Sequence, residues 1–190
     1  RLQQLSRLGR RVRAQTAADV AEADERLQIF VNLPAASQSN EPAAFTVPPD
    51  AIRNDSGEGW RSRVAVDGTS VGGIVTALPA PVRIEEVELA AHETFPLDLS
   101  AGWGGMIIAL GGSFSLPGEG LINSPQAVGL GAEDKDTLPL VAGEGGARIA
   151  IVTGRQLHQP VHAYGPLMLA SGEALTRAQR HCAARAMPAA

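Results

Sequence analysis

The sequence predicts an all-β sandwich or jelly roll followed by a C-terminal α-helix. Three observations carry that expectation. Glycine (21) and proline (13) are plentiful while aromatics make up only 4% of the 190 residues, the balance of a chain with many turns and few large side chains. From Trp60 onward, short apolar runs recur at even intervals, about nine over roughly 95 residues, a sandwich count. After Ser171 the apolar period changes to that of a helix.

The elements follow in order. Leu2, Leu5 and Leu8 recur at spacing three in a stretch with five arginines (Arg1, Arg7, Arg10, Arg11, Arg13) and no acid. That pattern fits a solvated or acid-paired basic face, an anion or nucleic-acid patch, or a targeting or membrane-surface helix. Gly9 weakens a helix there by about 1 kcal/mol relative to alanine. "RLQIFVNLP" alternates through Leu27, Ile29, Val31 and Leu33 before Pro34 stops it, and is expected to be a strand. Pro34 to Gly59 turns to Pro, Ser, Asn, Ala and Asp, the chemistry of a linker.

"RSRVAV" then ends at Asp67-Gly68, a hairpin dipeptide, and "TSVGGIVTAL" follows. "VRIEEVEL" carries Val82 and Ile84 on one face and Val87 and Leu89 on the other, a phase slip that predicts a bulge at Glu85-Glu86. "TFPLDL" alternates cleanly, and "MIIAL" is apolar throughout, as in a strand buried on both sides. "SFSL", "AVGL", "TLPLV" and "RIAIVT" complete the strands, with "GWGGM" and "GEGG" between them as turns. Ser171 caps a helix over Gly172 to Ala186, with Glu173 in its first turn and Leu175, Ala178, Cys182 and Ala186 along one face.

Composition limits function. Formal charge of −4 supplies no general attraction to nucleic acid or anionic membrane, and nothing aromatic is interleaved with the arginines for base stacking. A single cysteine, Cys182, rules out an internal disulfide framework, and the expected compartment is the cytoplasm. No apolar run approaches the roughly 20 residues of a membrane span. The first residue is arginine, and further sequence upstream of it is expected.

Several stretches together resemble the pirin family, which are two-domain (bicupin) proteins of the RmlC-like cupin fold. "LQIFVNLP" is similar to the strand leading out of the family's first domain. "GWGGMIIALGGSFSL" is similar to the second domain's Gly-Trp turn and following strands, and "GRQLHQPVHAYGPLMLASGEALTRA" to the closing signature. Gln159 stands where that signature has glutamate, Leu167 where it has phenylalanine and Ala170 where it has asparagine. The resemblance implies residual strands of a first cupin domain over 1–33, a linker over 34–59 and a second cupin domain, helix included, over 60–190.

It also implies a role for the basic stretch. "QLSRLG" is similar to the family's Gln-Trp-Met-Thr-Ala-Gly turn, which precedes a metal-binding His-x-Glu. Those two positions fall on Ala14 and Thr16, or on Arg13 and Gln15 one residue earlier. Neither pair offers the imidazole and carboxylate that a cupin iron site needs, and arginines nearby repel a divalent cation. The expectation is a metal-free protein with no cofactor and no catalytic residue. It would act by binding a protein partner or a small aromatic ligand, with neither nucleic acid nor membrane as partner and with homodimers formed through unpaired strand edges. The alternative is an oxygenase resembling the family's quercetin 2,3-dioxygenase, using iron or another divalent metal.

Other candidates are weaker. His158 and His162 are four apart, a zinc spacing on a helix, but Pro160 between them favours a loop or strand. His92 and His181 lack acid or thiol neighbours at ligand spacing. Cys182 is expected to be packed on the helix's apolar face. Glu85, Glu86 and Glu88 form the one tight acidic cluster of the sandwich region and read as solvent-facing strand residues; a buried glutamate pair with raised pKa is the alternative, which sequence alone does not decide.

Overall fold

The computed structural model describes residues 27, 29–41, 46–68, 70–71, 74–75, 78–165 and 167–186. They fall into two compact units, one over 40–157 and the other combining 27–39 with 158–186.

The first unit is the β-sandwich. Its strands are β1 (Arg53–Gly57), β2 (Trp60–Gly68), β3 (Ser70–Val71), β4 (Ile74–Val75), β5 (Val82–Leu89), β6 (Thr94–Leu99), β7 (Trp103–Ser115), β8 (Ile122–Asn123), β9 (Ala127–Gly131) and β10 (Asp136–Arg155). All pairings are antiparallel, in the order β4-β3-β2-β5-β10-β7-β8, with β1 on β2, β6 on β10 and β9 on β7. Asp67 pairs with Ser70, and Gly68 takes the left-handed conformation (φ 64°) that makes the predicted Asp-Gly turn.

β10 organises the sandwich. Its first part, Asp136 to Val141, pairs with β6, and its second, Ala147 to Gly154, pairs with β5, while β7 runs along both. "TLPLV" and "RIAIVT" are therefore one strand, and "GEGG" is a corner within it. Residues 143–146 are set against Ser113 alone, a large bulge that redirects the strand without ending the ladder. "MIIAL" and "SFSL" likewise merge into β7, bent at Gly112. A Cβ on Gly112 (φ 64°) would lie 2.2 Å from the Gly146 carbonyl oxygen, so the two backbones approach closer than any side chain allows.

Inside the corner, Leu97, Leu99, Ile107, Phe114, Leu140 and Ile149 are almost wholly buried. Trp60 meets Phe95 edge-on, with ring centroids 5.1 Å apart. Strand β1 lies within the stretch expected to be a linker. It forms because the Glu58-Gly59 turn folds it back onto β2, from Gly57 opposite Trp60 to Arg53 opposite Val64.

The second unit holds β11 (His162–Tyr164), β12 (Leu167–Leu169) and α1 (Gly172–Ala186). The helix has its predicted bounds, and the Ser171 hydroxyl accepts from the Ala174 N–H at 3.1 Å. The strand expected near residues 27–33 is not one: its described residues join no ladder. Two glutamines hold this segment instead. Gln159 donates to the Leu33 carbonyl at 2.8 Å and accepts from the Ala35 N–H at 2.9 Å. Gln38 donates to the same carbonyl and accepts from the Ala170 N–H. A side-chain amide thus replaces a strand partner, and it explains glutamine at 159: a glutamate cannot donate to Leu33.

Three outcomes test these constraints. Gly146→Ala puts a Cβ 2.6 Å from the Leu89 oxygen at a φ of 75° and is expected to cost about 2 kcal/mol in urea unfolding. Gly145→Ala, with open space around the new Cβ, should stay within about 0.5 kcal/mol. Gln159→Glu should weaken the second unit by about 1 kcal/mol, read as faster hydrogen exchange at Ala35.

Candidate functional site

The residues of β5 alternate without a break: the ladder to β10 runs from Leu89 opposite Ala147 to Val82 opposite Gly154. The predicted phase slip is absent from β5, and the register shift lies on its other neighbour, between Val64 and Val66 of β2. Arg83, Glu85, Val87 and Leu89 therefore share one face, and Val82, Ile84, Glu86 and Glu88 the other. The apparent slip arose because a carboxylate occupies an interior position, which the apolar pattern alone assigns to the surface.

The three glutamates thus separate. Glu86 and Glu88 do lie on the outer face, where Arg61 pairs with Glu88, and Arg63 (3.5 Å) and Arg148 both pair with Glu86. Such partly exposed pairs contribute little each. Glu85 was expected to face solvent with them, but its side chain is 0% exposed. It sits between Val64 and Ile151 on the neighbouring strands, both buried.

One Glu85 oxygen accepts from Arg83 Nη2 at 2.8 Å; the other, Oε1, has no partner, and neither does Arg83 Nε. Arg83 retains 25% exposure and stands opposite Asp67 on one side and the buried Thr153 on the other. Asp67 is bound by Arg53 at 2.8 Å, and Arg53 also holds Asp55 at 2.9 Å. Desolvation is the largest influence on the Glu85 carboxyl and pushes its pKa up. The Arg83 hydrogen bond and charge oppose it, Asp67 raises it further and Arg53 lowers it. Chemically the arrangement is a buried proton acceptor linked to a half-exposed guanidinium. Two shallow depressions of this unit lie towards the other end of β5, around Trp60 and Glu88 and around Gly112 and Gly146, away from Glu85.

The remaining candidates are dispersed. Ala14, Thr16, Arg13 and Gln15 lie outside the described residues, as do the five N-terminal arginines. By their chemistry alone these positions do not fit a metal, since Ala14 has no donor atom and Thr16 only a neutral hydroxyl. His158 is exposed in a loop with a φ of 46°, and His162 is exposed on β11, so the helical spacing is not realised. Among the described residues no group of three or more His, Cys, Asp or Glu could hold a metal ion. Cys182 is exposed and not packed as expected. Among the described residues no helix is long and apolar enough to cross a membrane.

The family model described as the pirin C-terminal cupin domain matches residues 84–186, more than half of the chain. The chain belongs to the pirin family. A curated relative, "Putative quercetin 2,3-dioxygenase PA2418" of Pseudomonas aeruginosa, is 27% identical over 159 residues, covering 81% of this pirin chain and 54% of the relative. A crystal structure of quercetin 2,3-dioxygenase from Acinetobacter baumannii superposes with a TM-score of 0.67 at 17% identity, over 80% of this chain and 53% of that one. GK1651 of Geobacillus kaustophilus does so with a TM-score of 0.58 at 23% identity, over 69% and 54%. At these identities the solved structures show the cupin fold alone, and the chain spans about half the length of each.

Burial gives Glu85 a contribution to the pH dependence of this domain's stability. Its folded pKa lies above the unfolded one, so the folded state holds the extra proton between the two values. Stability is then expected to fall as pH rises from the ordinary glutamate value through the raised one. Glu85→Gln should flatten that slope in urea melts across pH 4.5 to 8. Arg83→Met should cost about 3 kcal/mol at pH 8, the low end for a buried pair because Arg83 is partly exposed. The loss should shrink near pH 5, and Arg83→Met with Glu85→Leu should recover most of it.

Proposed function

We propose that this pirin-family chain acts by binding, through its second unit, and that its first protein partner is another copy of itself. One observation supports the reading above others. None of the described side chains of the second unit is buried, while Phe30 (72% exposed), Val161, Tyr164 (63%) and Met168 stand open to solvent. Large apolar side chains exposed in a unit with no buried side chain among its described residues are the mark of an interaction surface. A regulatory protein partner, or a small aromatic ligand on the same side chains, uses the same chemistry. The residues at the family's metal positions, Ala14 and Thr16, favour binding over metal chemistry.

The second reading is a metal-dependent oxygenase acting on quercetin, and the observation favouring it is the similarity to the Pseudomonas aeruginosa relative, which is named for that activity. Iron would supply oxygen chemistry in that case, but no residue set described here is fitted to hold it.

Two measurements test the binding reading. Protein incubated with excess ferrous iron and desalted should carry only background iron by elemental mass spectrometry; iron near one per chain, with loss of quercetin under air, establishes the oxygenase reading instead. Light scattering at micromolar concentration should give twice the chain mass, reduced to one chain mass by Tyr164→Asp. A monomeric wild type removes the self-association reading.

A further inference from the structure

Arg83 has two carboxylates within reach of its place on β5. Glu85 is two residues along the same face, inside the sandwich, and holds Nη2 at 2.8 Å. Asp67 is the residue directly opposite Arg83 on β2, half exposed and bound to Arg53. Directly paired residues of an antiparallel ladder carry their Cβ atoms about 5 Å apart, well within the span of an arginine. Arg53 has a second partner in Asp55, so it stays paired if it shares or yields Asp67.

The interior position is incompletely satisfied. Glu85 Oε1 and Arg83 Nε are both buried without partners, whereas buried polar atoms are normally bonded. An ion pair left half-satisfied in a dry interior is held chiefly by the charge of its acid. The uncharged neighbours, Val64 of β2 and Ile151 of β10, supply no replacement. The charged groups acting on Glu85 among the described residues are Arg83, Asp67 and Arg53.

We propose that Arg83 is a proton-operated latch, docked inward on Glu85 while that carboxylate is ionised and swung across to Asp67 when Glu85 takes up a proton. The proton comes from solvent and resides on the Glu85 carboxyl; Arg83 keeps its charge in both positions and exchanges one carboxylate partner for another. A neutral carboxyl is far cheaper to leave in the interior than a carboxylate, so protonation removes the reason for the guanidinium to stay there. The latch is a switch between two arrangements of the β2–β5 edge, independent of any metal and of the partner-binding unit.

The test is a pH titration of the full chain by NMR, following glutamate side-chain carboxyl carbons and arginine Nε–H resonances between pH 4 and 9. Glu85→Gln assigns Glu85, and an Arg83→Lys spectrum assigns the Arg83 Nε–H. One glutamate carboxyl is expected to titrate about one pH unit or more above the others, and the Arg83 Nε–H should shift with the same midpoint. In Asp67→Asn, a change at a half-exposed position, Glu85 should still titrate while the Arg83 resonance loses its low-pH position. A Glu85 midpoint among the ordinary glutamates overturns the latch. So does a raised midpoint with an unmoved Arg83 resonance, or an Arg83 shift that Asp67→Asn leaves intact.

Discussion

The sandwich depends on a backbone crossing in which Gly112 of β7 and Gly146 of β10 approach more closely than any side chain permits. That contact lets a 20-residue strand bend through its corner while keeping β7 alongside it. Because β10 bends, β6 and β5 pair with successive parts of one strand and turn their apolar faces towards each other. The buried cluster of Val87, Leu97, Phe114, Leu140 and Ile149 follows from that geometry. Apolar burial supplies the free energy of the fold, but the glycine crossing decides where the apolar faces meet.

Against that apolar interior, the Arg83–Glu85 pair is a local departure. Well-packed hydrophobic residues generally match or exceed a buried ion pair in stability, so this pair is retained at the expense of stability or neutrally to it. What it adds is a link between the interior of β5 and solution pH, relayed to Asp67, Arg53 and Asp55 at the partly exposed edge. The second unit departs in the opposite sense. It lacks buried side chains among those described and relies on amide clamps from Gln38 and Gln159. One unit is held by its core, the described residues of the other by side-chain amides bonded to backbone, and the exposed apolar residues of the latter are the ones a partner would cover.

Much of the fold was legible in the sequence. Alternation in "TFPLDL", the Asp67-Gly68 turn, and the Ser171 cap with the bounds of α1 are local signals, and the structure realises each locally. Family resemblance in the Gly-Trp turn and the Tyr-Gly-Pro signature pointed to the pirin C-terminal cupin, and the matched family model establishes it. The reading failed where a local pattern had a non-local cause. "GEGG" looks like a turn, but glycines serve equally to bend a continuous strand. "LQIFVNLP" alternates like a strand, but an extended segment becomes one only when another backbone pairs with it.

The sequence by itself determined the class of fold, the closing helix and the family, because periodicity, capping and turn residues act within a few positions of one another. Only the tertiary structure decided that Glu85 lies inside while Glu86 and Glu88 lie outside. Burial depends on which face of β5 meets the sandwich, and the two neighbouring strands set that face. A carboxylate read in sequence carries no sign of the environment it will occupy, and its proton affinity is set by that environment.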